Sequence, residues 1–246
     1  MNIQKGFEMK VLDKGFVRYI DHMGGDIDIL EAARISYKAP SKGEEQDKKL
    51  LNYLHKNKHT SPFEMVKLKF NIRLPIFVMR QFVRHRMQNL NEVSARYTQL
   101  EPNFYIPSVW RAQDTVNKQG SVIDHEWLPS MKIDGVTVSN DHKSTSEFFE
   151  KVSNELYLIY ESMIEAGIAR EMARMILPIH IYTEIYTCWD LNNLLKFFAL
   201  RDDSHAQAEI QDYAKAMKDI AKNLFPWTMQ VYERNREEFA KYFAAQ

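Results

Sequence analysis

The stretch VKLKFNIRLPIFVMRQFVRHR, residues 66–86, changes midway from the pattern of a strand to the pattern of a helix. Up to residue 74, apolar and polar side chains alternate, which predicts a strand with one buried face. Pro75 ends this strand and can open a helix, because its restricted backbone suits the first helical position. Residues 76–86 then place apolar side chains at helical spacing. The apolar side chains of the strand are Val66, Leu68, Phe70, Ile72 and Leu74.

The flanking segments continue this mixture of strands and helices. Residues 10–24 predict a strand or hairpin, and residues 176–190 predict a strand rich in β-branched and aromatic side chains. Periodicity and capping signals predict helices over 27–37, 44–58, 144–167, 170–175, 191–200 and from a capping box of Ser204 and Gln207 onward. Because no repeat or linker interrupts the chain, we expect residues 1–246 to form one α+β domain.

Three segments lack a regular period. HTSPFEM, residues 59–65, is predicted to form a turn, and NLNEVSARY, residues 89–97, is predicted to form a loop. Residues 111–143 are polar and irregular, which predicts a variable surface excursion. Within that excursion, Asp134 and Gly135 can form the turn of a small hairpin.

The overall composition excludes several classes of protein. Hydrophobic residues make up 45% of the 246 residues, and 33 basic residues balance 33 acidic ones. This balance argues against disorder and against a global field that attracts nucleic acid or a membrane surface. The first residues lack an apolar signal core, and no apolar run is long enough to span a bilayer, so we expect a cytoplasmic protein. A single cysteine, Cys188, and the absence of paired histidine spacing make a metal site unexpected.

A cluster of cationic side chains gives the first indication of function. RHRMQNLNEVSARY, residues 84–97, contains Arg84, Arg86 and Arg96 beside His85, and Glu92 is its single acid. Guanidinium groups bind phosphates and planar heterocycle edges through fixed donor pairs, so the cluster predicts an anionic ligand. The alternatives are ordinary surface ion pairs and a stacking platform for nucleic acid.

The same run resembles the signature R-H-R-x-x-S-x-N-E-x-S-x-R-Y of the flavin-dependent thymidylate synthases, with Asn89 at the first serine position. The resemblance extends to HTSPFEM, NFYIPS, GIAREMARMILP and LRDDSHAQAEIQ, and it covers most of the chain outside residues 111–143. It implies an antiparallel twisted sheet flanked by helices, and a homotetramer whose active sites are shared between subunits. It further implies that FAD, NADPH and 5,10-methylenetetrahydrofolate serve the conversion of dUMP to dTMP.

The resemblance also implies roles for individual residues, with Ser36 as a weaker candidate for a flavin contact. The positions implied to contact FAD are Ser61, Arg84, His85, Arg86, Glu92, Asp190, Asn192 and Lys196. The positions implied to contact dUMP are Gln81, Arg84, Glu92, Ser94, Ala95, Arg96, Arg174 and Arg201. At Asp190, Asn192 and Lys196 the side chains differ from those common in relatives.

Arg201 is implied to act on the pyrimidine ring itself. An arginine cannot serve as a base at ordinary pH, so its role would be to stabilise negative charge that develops on the ring. Arg96 and Arg174 would bind the phosphate. A simpler reading pairs Arg174 with Glu171 as helix neighbours.

Ser94 and Cys188 are possible nucleophiles, and His85 has a simpler alternative role. Ser94 has no evident base in the sequence and is predicted to bind dUMP rather than attack it. Cys188 falls on a predicted strand, which argues against cysteine catalysis. The alternative for His85 is a histidine on a helix surface, with Gln81 and Arg84 on the same face.

Two rival functions remain at this stage. One is a flavin-dependent relative that installs another C5 substituent, such as hydroxymethyl, on a pyrimidine nucleotide; Asn89 and Lys196 motivate it. The other is a non-catalytic protein that binds nucleotides or RNA.

Overall fold

The strand predicted from the alternating stretch lies at the centre of a five-stranded antiparallel sheet. A computed structural model describes residues 3–36, 38–115, 120–123, 130–133, 136–139 and 144–244. The strand order is β1-β2-β3-β9-β4, so two strands lie on each side of β3. The strands of this sheet are β1 (Glu8–Val11), β2 (Gly15–Met23), β3 (Lys67–Pro75), β4 (Gln88–Glu92) and β9 (Tyr182–Asp190).

Helices account for most of the remaining described chain. Two short two-stranded sheets consist of β5 (Arg111–Gln113) with β6 (Ser121–Ile123), and β7 (Ser130–Ile133) with β8 (Val136–Ser139). The helices are α1 (Asp26–Arg34), α2 (Glu44–Lys56), α3 (Ser61–Glu64), α4 (Ile76–Phe82), α5 (Thr145–Glu165), α6 (Arg170–Ala173), α7 (Leu191–Arg201), α8 (Ala208–Leu224) and α9 (Pro226–Ala244). A 3-10 turn, Arg174–Ile176, follows α6 directly.

The alternation in β3 buries its apolar face completely. Leu68, Phe70, Ile72 and Leu74 are each 0% exposed and belong to the main hydrophobic core. Burial of four such side chains contributes several kcal/mol, at about 1.5–3 kcal/mol for each one. Asn71 is also buried, and it is hydrogen-bonded to Arg18 and to Glu184, each at 2.8 Å. The predicted strand is therefore confirmed, with all nine of its residues paired to β9.

The first predicted strand region forms the hairpin β1–β2. At Gly15, where β2 begins, neighbouring atoms come too close to leave room for a side chain. A Cβ atom there would lie 2.1 Å from the hydroxyl of Tyr213 and 2.8 Å from the carbonyl oxygen of Arg73. The hydroxyl of Tyr213, on α8, donates to that same carbonyl at 2.7 Å. Glycine at this position therefore allows α8 to pack against the sheet.

The predicted helix after Pro75 is shorter than expected. It ends at Phe82, and Arg84 and His85 follow in a turn, so they do not share a helical face with Gln81. The side-chain amide of Gln88 donates to the carbonyl oxygens of Phe82 and His85 at 3.0 and 2.9 Å. These bonds satisfy carbonyl groups that a longer helix would have used.

The prediction of a loop over residues 89–97 is wrong for the first half of that segment. Residues 88–92 form β4, an edge strand paired with β9 through Gln88↔Trp189 to Glu92↔Ile185. Its polar sequence carries no alternation that would indicate a strand, because much of this edge strand faces solvent. Leu90 alone packs against the main core.

Other expectations are confirmed or corrected in detail. HTSPFEM contains the one-turn helix α3 rather than a simple turn. The long C-terminal helix begins at Ala208 with Gln207 as its N-cap, and Ser204 forms no capping box with Gln207. The hairpin predicted within 111–143 has its strands in β7 and β8, which pair antiparallel. Its predicted turn residues, Asp134 and Gly135, lie outside the described residues.

Candidate active site

The residue predicted to act on the ring is hydrogen-bonded to the predicted flavin contact His85. Arg201 ends α7, and its Nε donates to Nε2 of His85 at 2.9 Å. The His85 ring packs edge-on against Phe197, with ring centroids 4.9 Å apart, and lies beside Trp189. Two residues that the resemblance assigns to different ligands are thus in direct contact.

His85 is held in its neutral form. Burial, with the positive charge of Arg201 as a second cause, lowers its pKa to about 4. Since Nε2 accepts a hydrogen bond from Arg201, the ring proton of neutral His85 lies on Nδ1. The simpler reading of His85 as a helix-surface histidine is wrong, because it lies in a turn and packs against aromatic rings.

Only one edge of the Arg201 guanidinium is used. Within the part of the chain that the structure describes, Nη1 and Nη2 have no hydrogen-bond or ion-pair partner. Burial lowers the pKa of Arg201, but a guanidinium stays charged at neutral pH. A fixed Nε therefore leaves two parallel N–H groups to meet the edge of a planar, electron-rich ligand.

The two arginines of the RHR run are exposed. Among the described residues, no carboxylate forms an ion pair with Arg84 or Arg86. The alternative of ordinary surface ion pairs therefore finds no support at these two side chains among the described residues. Unpaired cations this close in sequence repel each other, so an anion bound beside them would be stabilised.

Arg96 forms an ion pair with Glu171, the acid that was suggested as a partner of Arg174. Its Nε lies 3.1 Å from Oε2 of Glu171, and both side chains are about half exposed. Arg174 is exposed and has no partner among the described residues, so its suggested pairing with Glu171 is wrong. Glu171 thus brings Arg96 next to the short helical segment that carries Arg174.

The end of the run at 84–97, from Ser94 onward, forms a tight turn after β4. The amides of Tyr97 and Thr98 donate to the carbonyl oxygen of Ser94, and its Oγ accepts from the amide of Arg96 at 3.3 Å. No histidine or carboxylate contacts this hydroxyl in the described part of the chain. Ser94 therefore lacks a base here, and Ala95 packs partly buried against the smaller core cluster.

Two of the other predicted substrate contacts, Glu92 and Gln81, are hydrogen-bonded to residues that were not predicted as part of the site. The hydroxyl of Thr183, on β9, donates to Oε1 of Glu92 at 2.8 Å. The side-chain amide of Gln81 donates to Oε1 of Gln207 at 2.5 Å. Gln207 was interpreted only as part of a cap, although its place in LRDDSHAQAEIQ was a usable signal.

The predicted flavin contacts outside the RHR run form a second group near α3. Ser61 is exposed at the start of α3, and buried Asn192 donates to Glu64 of the same helix at 3.3 Å. Across the described residues, no hydrogen bond joins Ser61 or Asn192 to His85. Ser36 lies exposed beyond the end of α1.

Asp190 and Lys196, which differ from the usual residues, have clear structural contacts. Asp190 is the N-cap of α7, where its two carboxylate oxygens accept from the amide and side chain of Asn193, each at 2.8 Å. The ammonium of Lys196 lies 4.4 Å from the centre of the Phe243 ring. Asp190 thus stabilises a helix end, and Lys196 contacts α9.

A large cleft opens beside Gln207. Its volume is about 1040 Å³, and aromatic rings line much of it, among them Phe77, Tyr105 and Trp110. On another wall, Arg111 donates two hydrogen bonds to the buried carboxylate of Glu209, at 2.7 and 2.8 Å. This pair ties β5 to the first turn of α8, close to the predicted substrate contact Gln81.

Comparison with known families decides the assignment. Residues 18–227 match the family described as thymidylate synthase complementing protein. The chain is 42% identical to a flavin-dependent thymidylate synthase from Treponema denticola over 96% of this chain and 86% of that protein. This chain belongs to the flavin-dependent thymidylate synthase family. A second relative of the same name, from Thermus thermophilus, is 43% identical over 94% of this chain and 80% of its own length.

Solved structures give the same fold. The flavin-dependent thymidylate synthase fold of this chain matches a UMP/dUMP methylase, PolB from Streptomyces cacaoi, with a TM-score of 0.75 and 27% identity. The match covers 92% of this chain and 97% of that one, which was bound with 5-Br dUMP. Among the described residues, no helix is long and apolar enough to cross a membrane, and no group of acids, histidines and cysteine could hold a metal ion.

Proposed function

We propose that this flavin-dependent thymidylate synthase family member converts dUMP to dTMP, with Arg201 against the pyrimidine ring. The observation that carries the proposal is the Arg201–His85 hydrogen bond, which leaves Nη1 and Nη2 without a partner in the part of the chain that the structure describes. Two N–H groups fit the O2 and N3 edge of a uracil whose N3 has lost its proton. Donors held in advance against developing charge stabilise a transition state more than a flexible cation does.

FAD is the proposed cofactor, with NADPH and 5,10-methylenetetrahydrofolate as co-substrates. The side chains of Arg84 and Arg86 are exposed and have no ion-pair partner among the described residues, so they suit the phosphates of a dinucleotide. His85, Glu92, Ser61 and the residues at the start of α7, Asp190, Asn192 and Lys196, are the other proposed flavin contacts. Bound flavin would supply the reducing hydride, which no side chain of this protein can supply.

The proposed phosphate site of dUMP is Arg96 with Arg174. Arg174 is unpaired in the described chain, and Arg96 must exchange Glu171 for the phosphate. Gln81, Glu92, Ser94 and the backbone at Ala95 are proposed to surround the nucleotide. Ser94 would bind by hydrogen bonding, since none of the described residues places a base beside it.

We also propose a homotetramer whose active sites are shared between subunits. Among the described residues, Arg84 and Arg86 have no acid partner, and Ser61 and Asn192 form a group without a hydrogen bond to His85. Both observations support a site that is completed by another copy. Light scattering of the purified protein would measure the assembly, and a monomer that turns over dUMP would contradict it.

The proposal is tested by incubating FAD-loaded protein with dUMP, methylenetetrahydrofolate and NADPH and identifying the product by mass spectrometry. A methyl product supports thymidylate synthesis, a hydroxymethyl product supports the rival, and no nucleotide product contradicts both. UMP in place of dUMP tests whether the sugar is discriminated. RNA binding that persists at high salt without bound flavin would favour the non-catalytic alternative.

Arg201→Lys is the matched variant for the proposed role. It keeps one positive charge but loses the planar donor pair. We expect kcat to fall by about 100-fold or more, the scale for losing an oxyanion donor. Arg80→Lys, on the exposed end of α4, is the control and should keep full activity. Unchanged kcat in Arg201→Lys would remove the proposed role of Arg201.

A further inference from the structure

We propose that Lys218 is a positioning residue for Arg201 and acts through Asp202. This inference rests on the proposed function of Arg201 and names what holds that side chain in place. Asp202 follows Arg201 directly and is the C-cap of α7. Lys218, on α8, forms an ion pair with Oδ2 of Asp202, and both side chains are about nine-tenths buried.

Two partly exposed side chains of α9 also contact this buried pair. Arg236, on α9, donates from Nη2 to the carbonyl oxygen of Asp202 and also lies 3.5 Å from its Oδ2. Oε1 of Glu233, one turn earlier on α9, lies 3.2 Å from Nζ of Lys218. Helices α8 and α9 therefore both hold Asp202, the residue that caps α7.

The position of Asp202 explains why these cations are needed. The last carbonyl groups of a helix have no partners within the helix, and the macrodipole makes that end negative. A carboxylate at this end is unfavourable unless cations neutralise it. Lys218 neutralises the carboxylate of Asp202, and Arg236 takes its carbonyl oxygen. The amide of Asp202 still donates to the carbonyl oxygen of Phe198 at 2.9 Å, so α7 stays regular up to its end.

Arg201 is consequently fixed at two points. Its backbone is adjacent to Asp202, and its Nε is bonded to His85. Together these contacts set the direction of Nη1 and Nη2. Displacement of a reacting group by about 1 Å can cost on the order of 100-fold in rate, so a shift of the α7 end would weaken the contacts of Arg201 with the ligand.

Lys218 itself is not a candidate for a catalytic residue. It is 8% exposed, and its ammonium already contacts Asp202 and Glu233. Any effect of Lys218 on the ligand must therefore pass through the end of α7. That indirect route makes a measurable prediction, because it disappears when Arg201 is no longer an arginine.

The test is a double-mutant cycle on full-length, FAD-loaded protein. The affinity for dUMP, measured by titration calorimetry, and kcat are compared in wild type, Lys218→Met, Arg201→Lys and the double variant. We expect Lys218→Met to weaken dUMP binding about 10-fold in the Arg201 background. In the Arg201→Lys background the same change should have an effect of less than about twofold. Equal fold-changes in both backgrounds would overturn the inference.

Controls separate positioning from general damage. Lys218→Arg keeps the charge and should retain at least half of the wild-type affinity. Lys215→Met removes an exposed lysine from the same helix, whose partner Asp212 is also exposed, and should change nothing. If Lys218→Met does not fold, Asp202→Asn combined with Lys218→Met removes both charges without leaving one buried and unpaired. The same cycle then applies.

Failure of the proposed function gives a different result. A wild-type protein that neither binds nor converts dUMP would overturn the proposed function and this inference together. A protein that binds dUMP, loses affinity in Arg201→Lys and shows additive effects of Lys218→Met would overturn the inference alone.

Discussion

Replacing His55 with phenylalanine should remove part of the acid sensitivity of the fold. His55 is 3% exposed on α2, and its ring stacks on Phe239 with centroids 4.8 Å apart and an interplanar angle of 18°. The Nε2 atom of this ring has no hydrogen-bond partner among the described residues. A phenylalanine ring can occupy the same stack without burying an unpaired nitrogen, so stability at pH 7 should be retained.

The size of the effect follows from the pKa of His55. Burial lowers this pKa from 6.5 to about 4 in the folded protein. Between these values the unfolded chain binds a proton that the folded protein does not, so stability falls as pH falls. The slope reaches about 1.4 kcal/mol per pH unit, and the loss between pH 7 and pH 5 is about 2 kcal/mol. Below a pH of about 4 the loss is complete.

Urea unfolding followed by tryptophan fluorescence at several pH values between about 5 and 7 measures this loss. His55→Phe should lower the pH dependence by about 2 kcal/mol over that range. Some dependence should remain, because burial also lowers the pKa of His85 and of His180 to about 4. His59→Phe, at an exposed ring, is the control and should keep the wild-type dependence. Identical pH dependence in His55→Phe and wild type would refute the reasoning.

Three further predictions concern other contacts. Gly15→Ala places a Cβ 2.1 Å from a tyrosine hydroxyl and should cost about 2 kcal/mol; an unchanged thermal midpoint would contradict this. Asp26→Ala removes the carboxylate that accepts from the amide and hydroxyl of Thr228, at 3.0 and 2.6 Å, and should cost about 2 kcal/mol in urea unfolding, whereas Asp28→Ala should cost less. Glu171→Gln frees Arg96 and should tighten dUMP binding up to about fivefold by calorimetry; weaker binding would contradict the competition.

Much of the architecture is encoded in local periodicity. The alternation over residues 66–74 and the helical spacing over 191–200 each correspond to an observed element, β3 and α7, because burial of one face is a property of neighbouring residues. The strand β4 could not be predicted this way. Its polar residues become a strand because β9 offers an unpaired edge, and no local signal encodes that partner.

The candidate site divides in the same way. The family resemblance carried by the run at 84–97 and by LRDDSHAQAEIQ indicated Arg84, His85 and Arg201 as candidates. The end of α4 at Phe82 was missed, since it depends on a side-chain amide that reaches back from β4.

The sequence by itself determined which residues carry charge, which segments show the apolar alternation of a strand or the apolar period of a helix, and which family signature is present. Only the tertiary structure decided that Arg201 meets a neutral His85, which lies 116 positions earlier in the chain. It also decided that Lys218 and Arg236 hold the residue after Arg201. The physical reason is that a propensity acts over a few neighbouring residues, whereas burial, hydrogen-bond partners and pKa values depend on groups that folding brings together.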